Sequence, residues 1–210
     1  MISASEALHR LVEGNSRFVS GTPRDGSDSG TRLAPSSQDQ EPFAIILGCS
    51  DSRVPAEIVF DQGLGDLFVI RVAGNIVAPT QIGSVEFAAQ QFGTRLVVVL
   101  GHSRCGAVTT TLNELEHPSA GRSPGIISIV NRIRPSVQPL FESDLRHNPD
   151  KLLRHAVRAN VQAAANDLRT GSRLLENLMQ EDNLLIVSAE YSLETGVVEF
   201  FDGLPAAFNR

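Results

Sequence analysis

Residues 43–47 and 96–100 form two short apolar runs, and each stops at a glycine and opens into a cluster of reactive side chains. The first run ends in Gly48 and then Cys49-Ser50-Asp51-Ser52-Arg53; the second ends in Gly101-His102-Ser103-Arg104-Cys105-Gly106. Runs of this length are too short for ordinary helices and suit buried strands. In open α/β sheets, ligands collect at the carboxyl ends of the strands. Cys49, Asp51, His102 and Cys105 therefore stand together as four groups able to hold a metal ion.

Zinc favours four tetrahedral ligands drawn from Cys, His and sometimes Asp. Alone, His102-x-x-Cys105 would be a weak signal, and an isolated His102 would read better as a core histidine bonded to backbone. Joined to Cys49-x-Asp51 at a matching strand end, the pattern points to zinc. Arg53 bears on whether that site is closed or open. A closed structural site uses all four ligands and needs no neighbouring cation. An Asp51 held by Arg53 through a charge-assisted contact stays off the metal and ionised, which leaves three protein ligands and a water. Zinc with an open position brings the pKa of its water to about 7, and Asp51 would orient that water and assist proton transfer. The plainer reading of Arg53 is a surface ion pair of little worth.

With only two cysteines in 210 residues, a Cys49–Cys105 disulfide is the competing use of the thiols. It would leave His102, Asp51 and Arg53 without a role. Free thiols beside ligand partners fit a reducing, cytoplasmic setting. A net charge of −6 argues against a general nucleic-acid binder. No apolar run approaches the roughly 20 residues that span a bilayer, and residues 1–10 carry no secretory pattern.

Along the chain, a first amphipathic helix begins at Ser5, which is placed to cap it, and Gly14-Asn15 and Gly21 weaken or end it. It must pack on its own domain or on another subunit. Residues 22–41, rich in Gly, Ser, Asp and Pro, read as a long loop. Then come a short helix from Pro55, a strand at 67–72 closed by Ala73-Gly74-Asn75, a helix at 80–92, the strand at 96–100, and a helix from about Cys105. Helices follow at 124–137 and 150–169 and after Ser172, then a strand at 184–189 and its hairpin partner at 197–201. This alternation predicts one α/β domain over residues 1–210, with residues 1–42 as a helical arm and loop. Its sheet is mostly parallel, with four parallel strands and an antiparallel edge strand, flanked by helices.

The sequence CSDSR followed by GHSRCG, with Ala73-Gly74-Asn75 between them, resembles the β-class carbonic anhydrases. The likeness extends to Gly14-Asn15-x-Arg17-Phe18 in the first helix and Thr195-Gly196-x-Val198-Glu199-Phe200 near the end. It implies Cys49, His102 and Cys105 as zinc ligands and Asp51 and Arg53 as the catalytic dyad. Gly106 would offer its backbone N–H to substrate. The implied reaction is reversible hydration of CO2 to bicarbonate and a proton. The implied assembly is a homodimer or dimer of dimers, in which each N-terminal helix embraces the partner. Val54 and Ala73, with Val72, Phe68 and Phe87, are candidate apolar walls for the substrate, although each would serve equally as core. No spacing nominates His9, His117, His147 or His155 as a proton shuttle.

Two positions depart from patterns within that family. Members that place their Asp on the metal carry a Trp three residues before the first Cys; this chain has Ile46 there and contains no Trp. That predicts the open, water-bound form, with Asp51 a fourth ligand only in a closed form. Where a plant-like branch has a substrate-contacting Gln, this chain has Gly63, with Gln62 one residue earlier. Carbonyl sulfide or carbon disulfide hydrolysis on the same scaffold is one rival activity, and a non-catalytic zinc-stabilised binding protein is another. A zinc deaminase is excluded, because Arg104 stands where that class needs Glu and no CxxC is present.

Overall fold

A computed structural model describes residues 2–23, 40–118, 121–205 and 208. Most of the loop expected between 22 and 41 therefore lies outside the described residues. The chain begins with α1 (Ala4–Ser20), followed by β1 (Ala44–Gly48), α2 (Ala56–Val59) and β2 (Leu67–Arg71). A 3₁₀ turn at Ala73–Asn75 leads to α3 (Pro79–Gln91), β3 (Leu96–His102) and α4 (Gly106–Glu116). After α5 (Pro124–Phe141), a 3₁₀ turn (Asp144–His147), α6 (Pro149–Thr170) and α7 (Arg173–Glu181), the hairpin β4 (Leu185–Tyr191) and β5 (Val198–Asp202) completes the fold.

The five strands form one sheet in the order β2-β1-β3-β4-β5. The first three pairings are parallel, and β5 pairs antiparallel with β4 at the edge. Both faces of the central strands are covered, so their side chains alternate between two cores. Ile46 and Val98 face α1 and α2, packing with Leu8, Leu11 and Phe60. Ile45, Leu47, Val97 and Val99 face α3 and α6, packing with Val85, Val161 and Leu168. Among the described residues, no helix is long and apolar enough to cross a membrane.

Helix α1 departs from its sequence reading at its cap and at Gly14-Asn15. Its cap is Ser3, whose hydroxyl accepts from the Glu6 N–H at 3.2 Å; Ser5 lies inside the first turn. The helix also runs unbroken through Gly14-Asn15 to a left-handed Gly21. Gly14 stays helical because it is a contact point: a Cβ there would lie 1.9 Å from the Phe60 carbonyl oxygen and 2.7 Å from Gln62 Nε2. Asn15 fastens the same turn, donating to the Val59 and Gly196 carbonyls at 3.1 and 2.9 Å and accepting from the Val198 N–H at 2.8 Å. Leu8 and Leu11 are fully buried on the chain's own sheet. Of the two packing partners open to this helix, its inner face takes its own domain.

Helix α5 outlasts its expected end at Val137 and reaches Phe141, passing through Pro135 and Pro139. Both prolines are exposed, where water can serve the carbonyls they leave unbonded. The close seat of α1 can be checked directly. Gly14→Ala gains about 1 kcal/mol of helix propensity but forces a methyl into backbone, an overpacking cost of about 1–3 kcal/mol or more. At 1.9 Å from a backbone oxygen the cost belongs at the upper end of that range, so urea unfolding is expected to show a net loss of about 2 kcal/mol; an equally stable variant would mean that α1 does not sit against Phe60.

Candidate metal centre

Strands β1 and β3 are parallel neighbours, with Gly48 opposite Leu100. Their carboxyl ends therefore finish side by side, and the turns that follow project Cys49, His102 and Cys105 to one point. The two sulfurs and a ring nitrogen lie within 4.8 Å of one another, all on buried residues. Cys49 Sγ and Cys105 Sγ are 4.0 Å apart and both cysteines are free. A tetrahedral zinc with bonds to sulfur of about 2.3 Å places its sulfurs about 3.8 Å apart. The donor set thus fits a soft, tetrahedral ion closely.

The histidine supplies a second sign of fit. His102 Nδ1 donates to the Ser103 carbonyl at 2.9 Å, which fixes the tautomer and leaves Nε2 with a lone pair. That Nε2 is buried and finds no hydrogen-bond partner among the described residues. A buried polar atom without a partner costs free energy, and a metal ion between it and the sulfurs would satisfy it. Burial pushes the His102 imidazole down, but the adjacent Cys49 sulfur prevails and raises it. The Cys49 thiol is lowered to about 4, first by the hydrogen bond from Cys105, with burial opposing and His102 and the Gly74 N–H assisting. Cys105 moves the opposite way, because its S–H donates a hydrogen bond to the Cys49 sulfur and because it is buried. Without an ion the pair therefore favours one thiolate, Cys49, hydrogen-bonded by one retained thiol, Cys105.

Asp51 flanks this cluster. Its Oδ2 lies 3.8 Å from His102 Nε2. Arg53 grips both of its oxygens, with Nε donating to Oδ1 at 2.9 Å and Nη2 to Oδ2 at 2.8 Å. The Arg53 backbone N–H adds a third bond to Oδ1 at 3.0 Å. The guanidinium holds the carboxyl well below the usual carboxylate range, against partial burial. Asp51 is therefore ionised at any pH near neutral. Stability linked to this shift is complete above the ordinary carboxylate pKa and fades only as pH falls below it.

Two supports stand behind the cluster, one read in the sequence only as part of the Ala73-Gly74-Asn75 turn and the other, Arg71, not singled out there. Gly74, at φ 70, points its N–H at Cys49 Sγ over 3.3 Å, and a Cβ there would meet Ile133 Cδ1 at 2.8 Å. Arg71 closes the turn after β1, donating through Nε to the Cys49 carbonyl at 3.1 Å and through Nη2 to the Asp51 carbonyl at 2.5 Å. Arg71 is the register partner of Gly48 in the β1–β2 ladder, so strand pairing alone would have placed it beside Cys49.

Of the other candidate residues, Gly106 is exposed at the first position of α4, directly after Cys105. Ala73 is half-buried beside Gly74, and Val54 is buried in the core under α1. Phe68 and Phe87 lie at the β2 edge in a cluster with Phe92, with ring centroids 5.9–6.2 Å apart. The apolar residues that pack with Cys49 and Cys105 include Ile76, Val108 and Ile133. Ile46 is fully buried under α1.

The sequence profile of the family described as carbonic anhydrase matches residues 44–198. Carbonic anhydrase 2 of Mycobacterium tuberculosis is 39% identical over 192 residues, covering 90% of this chain and 89% of that protein. Among solved structures, the β-carbonic anhydrase CcaA superposes with a TM-score of 0.73 at 27% identity, covering 94% of this chain and 89% of the other. Structures described as two tetrameric β-carbonic anhydrases from Sordaria macrospora share the fold, with a TM-score of 0.69 at 22% identity over 94% and 98% of the chains.

Arg71→Ala removes two hydrogen bonds from the turn that carries Cys49 and Asp51. It is expected to cost about 1–2 kcal/mol in denaturant unfolding. No change in stability would show that the turn holds its shape without the guanidinium.

Proposed function

The chain belongs to the β-carbonic anhydrase family, and from that membership we propose that it hydrates carbon dioxide reversibly to bicarbonate and a proton at a zinc ion held by Cys49, His102 and Cys105. The observation that carries this reading is the buried, unpartnered His102 Nε2 beside two free sulfurs, with an arginine-held carboxylate 3.8 Å away. A bound zinc supplies Lewis acidity that brings the ionisation of a ligated water to about pH 7.

The chain's own residues do the rest. Asp51 stays charged, accepts a proton-bearing group at Oδ2 and turns it toward the substrate. Arg53 prevents Asp51 from rotating onto the metal, so Asp51 is a fourth ligand only in a closed form. Gly106 offers a backbone N–H at the start of α4, where the helix dipole favours developing negative charge on a substrate oxygen. Ala73 and Val54 are the proposed apolar walls, which suit an uncharged triatomic substrate better than water.

The working unit is proposed to be a homodimer or dimer of dimers, with α1 embracing the partner. The exposed Val12 and Val19 on its outer face support this. The need for two free thiols suits a reducing cytoplasm. Carbonyl sulfide or carbon disulfide hydrolysis would use the same ligands. A non-catalytic zinc protein would have no use for Asp51 held beside the cluster.

Stopped-flow CO2 hydration on zinc-loaded protein tests the proposal. Activity is expected to rise smoothly with pH through about 7 and to fall by about 100-fold or more in Asp51→Ala. Because Asp51 is already ionised near neutrality, that rise cannot belong to it. Activity that begins only above about pH 8 would assign Asp51 to the metal in the resting protein. No hydration at any pH, with zinc bound, would refute the proposed reaction.

A further inference from the structure

Ser103 and Arg104, the two residues between the ligands His102 and Cys105, are held by a single carboxylate from a distant part of the chain. Glu194 lies in the turn that joins β4 to β5. Its Oε2 accepts from Ser103 Oγ at 2.7 Å, and its Oε1 pairs with Arg104 Nε at 2.7 Å. The same turn and the end of β4 each engage Ser103 once more. Ser103 Oγ accepts from the Leu193 N–H at 3.0 Å, and the Ser103 N–H donates to the Tyr191 carbonyl at 2.9 Å.

Both gripped residues pass this restraint to a ligand. The Ser103 carbonyl is the acceptor that fixes His102 Nδ1, and so sets the direction of Nε2. Arg104 has φ 56, a left-handed conformation that a residue with a long side chain rarely adopts unless held, and Cys105 follows directly. One oxygen of Glu194 thus acts toward the imidazole and the other toward the second sulfur.

We infer that Glu194 is a positioning residue of the metal site, clamping the loop between His102 and Cys105 so that both donors stay aimed at one point and the ion is retained. The inference rests on the reading of Cys49, His102 and Cys105 as the metal ligands. An ordinary surface ion pair would be the simpler account, since the Arg104 and Glu194 side chains are 73% and 44% exposed. Such pairs add little to folding stability. A clamp of this kind therefore acts on metal retention and leaves overall stability nearly unchanged, and that separates the two accounts.

The test uses the full chain loaded with Co2+, whose thiolate charge-transfer absorption reports sulfur ligation, and follows the decay of that band in excess chelator. Outer partners of metal ligands typically account for about 10–100-fold in affinity. Glu194→Ala is expected to release cobalt about 10-fold faster or more, with a shifted band. Glu194→Gln should fall between the variant and the parent, because its amide oxygen still accepts from Ser103 but carries no charge for Arg104. Arg104→Ala approaches the same clamp from the solvent side and should also quicken release.

Thermal midpoints of the metal-free proteins are expected to agree within about 3 °C, which corresponds to about 1 kcal/mol for a chain of this size. Release within about twofold of the parent in all three variants, a margin well inside the expected effect, overturns the inference. Faster release matched by a comparable fall in the metal-free midpoint overturns it as well, because Glu194 would then merely hold the fold. A parent protein that takes up no cobalt refutes the metal-site reading first and the clamp with it.

Discussion

The parallel pairing of β1 with β3 is the constraint on which the site depends. The ladder sets Ile45 beside Val97 and Gly48 beside Leu100, so two loops that are more than 50 residues apart in sequence begin at the same height. A slip of one residue would displace one loop by about 3.3 Å and move every side chain of that strand to the opposite face. A tetrahedral site with bonds of about 2.0–2.3 Å does not tolerate such a shift. The register is held because both faces of both strands are buried. Ile46 and Val98 can be accommodated only under α1, and Ile45 and Val97 only under α3 and α6. Packing energy spread over two cores is thereby converted into positional accuracy at the strand ends.

Around the cluster, much of the support comes from backbone groups, and it arrives from three directions. The Gly74 N–H reaches Cys49 from the end of β2, and the Ser103 carbonyl fixes His102 from within its own loop. Arg71 binds the carbonyls of Cys49 and Asp51 from the register position beside Gly48. Backbone donors and acceptors are fixed by the fold, so they orient a ligand without an added cost in side-chain entropy. This explains why the residues with evident chemistry are few and tightly grouped. It also explains why glycine recurs near them, as at Gly74, where a positive φ and the nearness of Ile133 leave no room for a Cβ.

Much of this was legible in the sequence, because the signals were local. Short apolar runs ending in glycine marked the strands, and CSDSR and GHSRCG named the three side chains that the structure brings together as a possible metal cluster. The misses at α1 have specific causes. Ser3 and Ser5 are both competent caps by residue type, but Glu6 lies three positions after Ser3, the spacing of a capping box, and this favours the earlier serine. Gly14 read as a helix breaker because propensity describes an isolated helix, whereas here the missing side chain is what lets α1 approach Phe60. The extension of α5 past Val137 was hidden by prolines that solvent tolerates. Arg71 and Glu194 left no local mark, since each acts across pairings that exist only once the sheet has formed.

Asp51 stands between two competing claims, and the geometry shows how they are balanced. Its Oδ2 is 3.8 Å from the unpartnered His102 Nε2, close enough for a modest rotation to bring it toward a shared ion. Against this, Arg53 contributes three donors at 2.8–3.0 Å, all from a residue two positions away. A restraint of such short range closes a minimal loop and costs little chain entropy, so it can hold although the Arg53 side chain is 57% exposed and screened by water. For Asp51 to leave, something must compensate the guanidinium for its partner. Ile46, sealed in the apolar core under α1, offers no polar group that could do so. The balance therefore lies with the Asp51–Arg53 pair, which keeps a charged oxygen beside the Cys49, His102 and Cys105 cluster without joining it.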